Sequence, residues 1–186
     1  ADSSEWVLCL RSTDGGTTWI GPDTLSSPDG VIGGGSVEAG RPFLARGPNG
    51  KMVCTWFEET TGGLGEEIYL NQFDGASWSG EQLVSDTSGL GNRYPAAVVN
   101  AAEEILVVWR PNLPLRHLAL KKKAWNDTSW PAAIDTVVGQ GYSAYKPYMG
   151  LDDNENLYVV FRRDMENDTT GLEQISYVTS GDGGTT

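Results

Sequence analysis

The chain has 186 residues, 24 of them glycine and 7 tryptophan, a turn-rich composition with large apolar anchors and enough length for one domain with its own core. Lys and Arg number 13 against 25 Asp and Glu, a formal net charge of −12, which opposes phosphate backbones and anionic headgroups and excludes nucleic acid as an expected partner. No apolar run approaches the ~20 residues of a membrane-spanning helix, and Ala1-Asp2-Ser3-Ser4 suits a mature start left by signal-peptide removal, so an exported protein, extracellular or periplasmic, is expected.

In chain order, Glu5-Trp6-Val7-Leu8-Cys9-Leu10-Arg11 reads as a strand, and Ser12-Thr13-Asp14-Gly15-Gly16-Thr17-Thr18-Trp19 follows as a turn. Asp14 can accept backbone N–H groups two residues on, the glycines supply positive φ, and Trp19 anchors the next strand. Strand-like runs then fall at 42–47, 51–58, 67–73 and 77–84, separated by Gly, Asn, Asp and Pro. The turn phrase recurs in worn form at Asn71-Gln72-Phe73-Asp74-Gly75-Ala76-Ser77-Trp78 and Ala124-Trp125-Asn126-Asp127-Thr128-Ser129-Trp130, and returns at Ser180-Gly181-Asp182-Gly183-Gly184-Thr185-Thr186.

Three markers share one period. Trp19, Trp78 and Trp130 lie 59 and 52 residues apart; the prolines of Arg41-Pro42, Tyr94-Pro95 and Lys146-Pro147 lie 53 and 52 apart; so do Trp56, Trp109 and Phe161, each closing an apolar run. A repeat of about 50 residues is a propeller blade or a solenoid turn, and four short strands with no helical periodicity select the blade. The expected fold is therefore all-β, a β-propeller of four-stranded antiparallel blades, with about three blades in the chain, half of a six-bladed ring. One segment, 1–186, divides into blade parts 1–34, 35–88, 89–140 and 141–186. The second run of each blade, near-continuously apolar, is expected to be buried on both faces, and both aromatic sets to be buried at equivalent positions. Open edges are expected at the 5–11 and 173–178 runs; a longer propeller, or a homodimer that completes the ring, would cover them.

The turn phrase resembles the Asp box, or BNR repeat, of the sialidase-type β-propellers, carried here by Ser12, Asp14, Gly16, Trp19, Asp74, Trp78, Trp130, Ser180, Asp182 and Gly184, all structural. The resemblance implies three arginines that grip a substrate carboxylate, a recognition suited to the planar guanidinium fork. Arg93-Tyr94-Pro95-Ala96 matches the spacing of the family's Arg-Ile-Pro, whereas Arg41-Pro42 lacks the intervening residue. It also implies an acid/base aspartate, a glutamate and a tyrosine nucleophile, yet 110–117 holds no aspartate where the family's would fall. No catalytic residue is assigned. Arg41, Glu58, Arg93, Arg110 and Arg162 form the candidate ligand site, converging on the central channel if the blades are in register.

Other groups take plainer readings. Glu59 and Asp164 are loop carboxylates, His117 is the only histidine, and Lys121-Lys122-Lys123 is a solvated strand end. Tyr142, Tyr145, Tyr148 and Trp125 are either core or sugar-stacking aromatics. Asp152-Asp153-Asn154-Glu155-Asn156 is a hairpin turn in preference to a calcium site. Cys9 and Cys54 are small buried hydrophobes or an inter-blade disulfide, and Asn126-Asp127-Thr128 and Asn167-Asp168-Thr169 are sequons. No metal and no cofactor are expected. The function expected is extracellular ligand binding, carbohydrate before other ligands; a sialidase-type glycoside hydrolase and a structural or protein-interaction propeller are the alternatives.

Overall fold

A computed structural model describes residues 5–26, 39–59, 65–85, 91–111, 117–138, 142–165 and 173–184. These residues form four antiparallel sheets, each built from strands consecutive in the chain. The first pairs β1 (Leu8–Arg11) with β2 (Ile20–Thr24); the second runs β3 (Ala39–Arg46), β4 (Met52–Glu59), β5 (Glu66–Phe73), β6 (Gln82–Leu83). The third runs β7 (Asn92–Val99), β8 (Glu104–Pro111), β9 (Ala119–Ala124), β10 (Asp135–Thr136), and the fourth β11 (Tyr142–Leu151), β12 (Leu157–Met165), β13 (Glu173–Ser180). The expected fourth run at 77–84 is in the ladder only at Gln82–Leu83, with a single bridge from Phe73 to Trp78. Gly75 and Gly80, at φ 104° and 100°, turn the chain off the ladder on either side of Trp78. The expected blade boundaries fall outside the described residues.

The sheets pack face to face in chain order, and the alternation of strand residues sorts their side chains between seams. On β8, Ile105, Val107 and Trp109 enter the cluster shared with Val53, Phe57, Ile68 and Leu70 of the second sheet. Leu106 and Val108 enter the cluster shared with Leu157, Val159 and Phe161 of the fourth. Burial on both faces explains the run's unbroken apolarity. Trp56, Trp109 and Phe161 are all buried and all face the preceding sheet, as the period requires.

The other aromatic set departs from expectation at one end. Trp78 and Trp130 are half-buried, but Trp19 is 61% exposed. Trp78 has the ring of Phe73 at 5.2 Å and Trp130 the Lys123 amine at 5.3 Å, whereas Asp14 and the turn residues beside Trp19 are exposed and its sheet has only two strands among the described residues.

The turn itself is a closed hydrogen-bond cage, with a geometry different from the two-residue reach expected. Asp14 accepts the Thr18 N–H and hydroxyl at 2.9 and 2.6 Å, while Ser12 Oγ donates to Asp14 and accepts the Gly16 N–H at 2.8 Å. These bonds hold the Asp14 carboxyl down at about 2, the Thr18 hydroxyl contributing most. Ser180, Asp182 and Gly184 repeat the serine half of the cage. Asp74 accepts from Ala76 and Ser77, the two-residue reach expected of Asp14.

The lysine cluster is a correction. Strand alternation sends Lys121 and Lys123 into the seam between the second and third sheets, each only 4% exposed, and leaves Lys122 half-exposed on the other face. Lys121 Nζ donates to the Val84 carbonyl at 2.9 Å. Lys123 Nζ donates to Gln72, Gln82 and the Asp127 carbonyl at 3.0, 2.9 and 2.8 Å, and burial pushes this amine below the usual lysine range.

The Lys121 contact belongs to a repeated device. In the first sheet Leu25 donates to the Val7 carbonyl and Ser26 Oγ accepts the Val7 N–H; in the second, Val84 and Ser85 do the same to Ile68. The carbonyl left over at this point is then taken by the next sheet. Asn71 Nδ2 reaches Leu25 O at 3.2 Å, and Lys121 fills the same role at Val84. Each bond satisfies a backbone acceptor that would otherwise be buried without a partner.

Candidate functional site: the inner edge of the sheets

The first strands of the second, third and fourth sheets carry the same fault. Arg41, Tyr94 and Lys146, each followed by proline, adopt left-handed backbone at φ 55°, 58° and 48°, and the pairing of β3, β7 and β11 slips across them. Three non-glycine residues in a costly region, at one repeat position, re-aim their side chains in concert. The result is a cavity of about 150 Å³ where the three inner strands meet, lined by Arg41, Phe43, Tyr94, Lys146 and Tyr148 with the prolines. Two cations and two tyrosines thus face one space. The Arg41 guanidinium lies 4.6 Å over the Tyr94 ring, and Tyr148 meets Phe43 edge-on at 6.2 Å.

Beside this cavity runs a stacked row of arginines and aromatics. The residues two before each proline, Gly40, Arg93 and Tyr145, pair with Phe57, Arg110 and Arg162 on the second strands. Gly40 is small because a Cβ there would lie 2.5 Å from the Phe57 ring. That ring in turn carries the Arg93 guanidinium at 5.7 Å, and Arg93 also pairs with Glu66. Arg110, buried, and Arg162, half-buried, both lie over Tyr145, at 4.3 and 4.7 Å. Arg162 is also paired with Glu173 at 3.0 Å. Each stack is a cation–π contact, and Arg110 crosses from the third sheet to the fourth to make its own.

Of the five residues expected at the site, the structure brings Arg93, Arg110 and Arg162 into this row and Arg41 into the cavity. Glu58 is not with them. It is buried on the β4 face shared with Trp56, toward the first sheet, and accepts the Trp56 indole N–H at 3.1 Å. Glu59 is half-buried opposite Glu66, Asp164 pairs in register with Ser143 and Glu173, and His117 precedes β9 half-buried. Tyr145 and Trp125 are core residues, Tyr148 is exposed at the cavity, and the side chain of Tyr142 is outside the description, as is the second sequon. Asp152 spends its carboxylate on the turn, accepting from Asn154, Asn156 and Tyr158, which fits the hairpin reading.

Two members of the cavity, Tyr94 and Lys146, were absent from the expected set. The signal for them was the Xaa-Pro period itself, read as a strand marker when it also marks the residue with left-handed backbone at the shared cavity.

Consecutive antiparallel sheets stacked face to face, with their first strands meeting at one inner edge, define the architecture of a β-propeller. No protein-family model matches the chain, and no curated protein matches it in sequence. Among solved structures it is similar to a protein of unknown function from Dyadobacter fermentans (TM-score 0.66, 18% identity, 96% of this chain and 56% of that one). It is also similar to an ulvan lyase of a new polysaccharide lyase family (0.64, 14%, 95% and 47%) and to a Hadza microbial sialidase (0.60, 12%, 78% and 35%). The chain spans less than two thirds of each. Such likeness establishes the fold, shared with carbohydrate-active propellers.

Proposed function

We propose that the chain is a carbohydrate-binding propeller segment that takes an acidic saccharide at the inner edge of its sheets. The observation that carries this reading is the cavity where Arg41 and Lys146 converge with Tyr94 and Tyr148. Guanidinium and ammonium groups match a sugar carboxylate, and tyrosine faces match the apolar face of a pyranose ring. About 150 Å³ is small beside the ~300–1,000 Å³ of drug-sized pockets, so the site suits one terminal acidic residue. The row of Arg93, Arg110 and Arg162 behind it, with Arg93 and Arg162 ion-paired to Glu66 and Glu173, braces the edge. The likeness to sialidase and lyase propellers supports a saccharide ligand, and export is the setting that such a ligand implies.

Calorimetric titration with a uronic-acid oligosaccharide and its neutral counterpart tests this. The acidic ligand alone is expected to bind, and Arg41→Ala to weaken it about tenfold or more, the loss of one charge-assisted contact. Equal binding of both ligands, or indifference to Arg41→Ala, would refute the site. Turnover of the oligosaccharide would instead favour the glycoside hydrolase alternative.

We also read the four sheets as about three blades of a six-bladed ring. The first sheet exposes Trp6, Leu8 and Leu10, and the fourth exposes Tyr158, Ile175 and Tyr177, faces on which further sheets of a ring, or of a second copy, would pack. Light scattering that shows a stable monomer would remove the homodimer from this reading.

A further inference from the structure

The first seam carries a register that the repeat alone does not predict. The inward residues of β1 and the segment before it are Val7, Cys9 and Arg11, while Leu8 and Leu10 face out exposed. Across the seam, the second sheet presents three successive rungs, Met52 with Phe73, Cys54 with Asn71, and Trp56 with Tyr69. Arg11 sits over the Phe73 ring at 5.5 Å, which fixes the first rung. One pleat further on both sides, Cys9 comes to the rung of Cys54 and Asn71, and Cys9 packs against the cluster that holds Cys54. The Asn71 amide, bonded to Leu25 O at 3.2 Å, ties the same two sheets together beside this level, Leu25 lying opposite Val7. Cys9 and Cys54 are the only cysteines of the chain, and both are free thiols.

We infer that Cys9 and Cys54 are the two halves of an inter-sheet disulfide, closed by a low-molecular-weight disulfide as oxidant and tying the first sheet to the second. Packed sheets lie about 10 Å apart, a gap that immunoglobulin-type sandwiches bridge with one inter-sheet disulfide. Cys9 is half-buried and Cys54 buried, which sets the order of events. The Cys9 thiolate attacks the oxidant, forming a mixed disulfide and expelling one thiol. Cys54 then loses its proton and displaces the second thiol, forming the Cys9–Cys54 bond. Two cysteine thiols are oxidised, one external disulfide is reduced to two thiols, and the two protons leave on those thiols. Burial pushes Cys54 up to about 12, and burial beside Asp23, against the weaker pull of Arg11, pushes Cys9 up as well. The closure is therefore slow at neutral pH and faster in mild alkali, because the thiolate is the reacting species.

The test is incubation of the whole chain with oxidised glutathione in mildly alkaline buffer. Thiol titration after denaturation, peptide mass mapping and thermal melting follow, with Cys9→Ser in parallel. The expected result is loss of both thiols without added mass, a linked Cys9–Cys54 peptide, and a melting temperature raised by about 5–10 °C in the wild type only. Two thiols that survive, glutathione retained on Cys9, or a disulfide that joins two chains instead of closing within one would each overturn the inference.

Discussion

The seam between the second and third sheets and the seam between the third and fourth come from the same repeat, yet they are closed differently. In the former, Lys121 and Lys123 extend from β9, their stems covering apolar surface and their amines bonded to Val84, Gln72, Gln82 and Asp127. The position of Lys121 is occupied in the fourth sheet by Val178, as their pairing with Val107 and Val159 shows. Valine cannot donate to a carbonyl and does not reach across. Next to it lies a cavity of about 230 Å³ with Leu120, Val137, Leu157, Val159 and Val178 on its apolar side and Asp135, Thr136, Thr179 and Ser180 on its polar side. The backbone repeat fixes where each sheet presents a carbonyl to its neighbour, and one side chain decides whether the seam is bolted there.

The contrast breaks most visibly at the seam's large anchors. Trp109→Ala should cost about 3–5 kcal/mol in urea unfolding, because it opens a cavity and also removes the donor to Asn92, bonded to Trp109 Nε1 at 2.8 Å. Phe161→Ala, in a seam that already holds a cavity, should fall at the low end of that range. Equal or reversed costs would count against a more tightly closed seam between the second and third sheets.

A smaller effect comes from exchanging the bolts. Lys121→Met keeps the stem and deletes the amine, leaving Val84 O buried without its donor, and should cost about 1–3 kcal/mol. The mirror change, Val178→Leu, should gain about 0.5–1 kcal/mol by filling the cavity. A neutral Lys121→Met together with a destabilising Val178→Leu would show that the two seams are equivalent.

The smallest effect is local and pH-dependent. The folded carboxyl of Asp14 is depressed to about 2 from a usual value of 3.8, so its contribution to the turn is present above the unfolded value and is lost as pH falls through about 2. The Thr18 and Gly16 amide resonances should keep their turn positions through pH 3 and move only near 2. A midpoint close to 4 would mean that the cage is open in solution.

Much of the fold was legible because the repeat is written in residues with a single physical use. Trp56, Trp109 and Phe161 close strands buried on both faces, and Asp14 with its glycines can only make a turn. The lysines were misread because a charge run looks solvated until strand alternation splits it between two faces. Trp19 was misread because its burial depends on neighbours in the sheet, which no local pattern encodes. At the candidate site, the arginines were legible as a set, but Glu58 was not separable from them. It is one residue beyond Phe57, and that single step sends it to the opposite face of β4. Tyr94 and Lys146 stayed hidden because left-handed backbone before proline is a tertiary outcome, one that local preference disfavours.

The account rests most heavily on ligand capture at the inner edge, and amide chemical-shift mapping with a uronic-acid oligosaccharide tests it directly. The expected shifts cluster at 40–43, 92–96 and 145–148, with the Asp14, Asp74 and Asp152 turns unmoved. Shifts concentrated at those turns, or none at any saturating concentration, would contradict it.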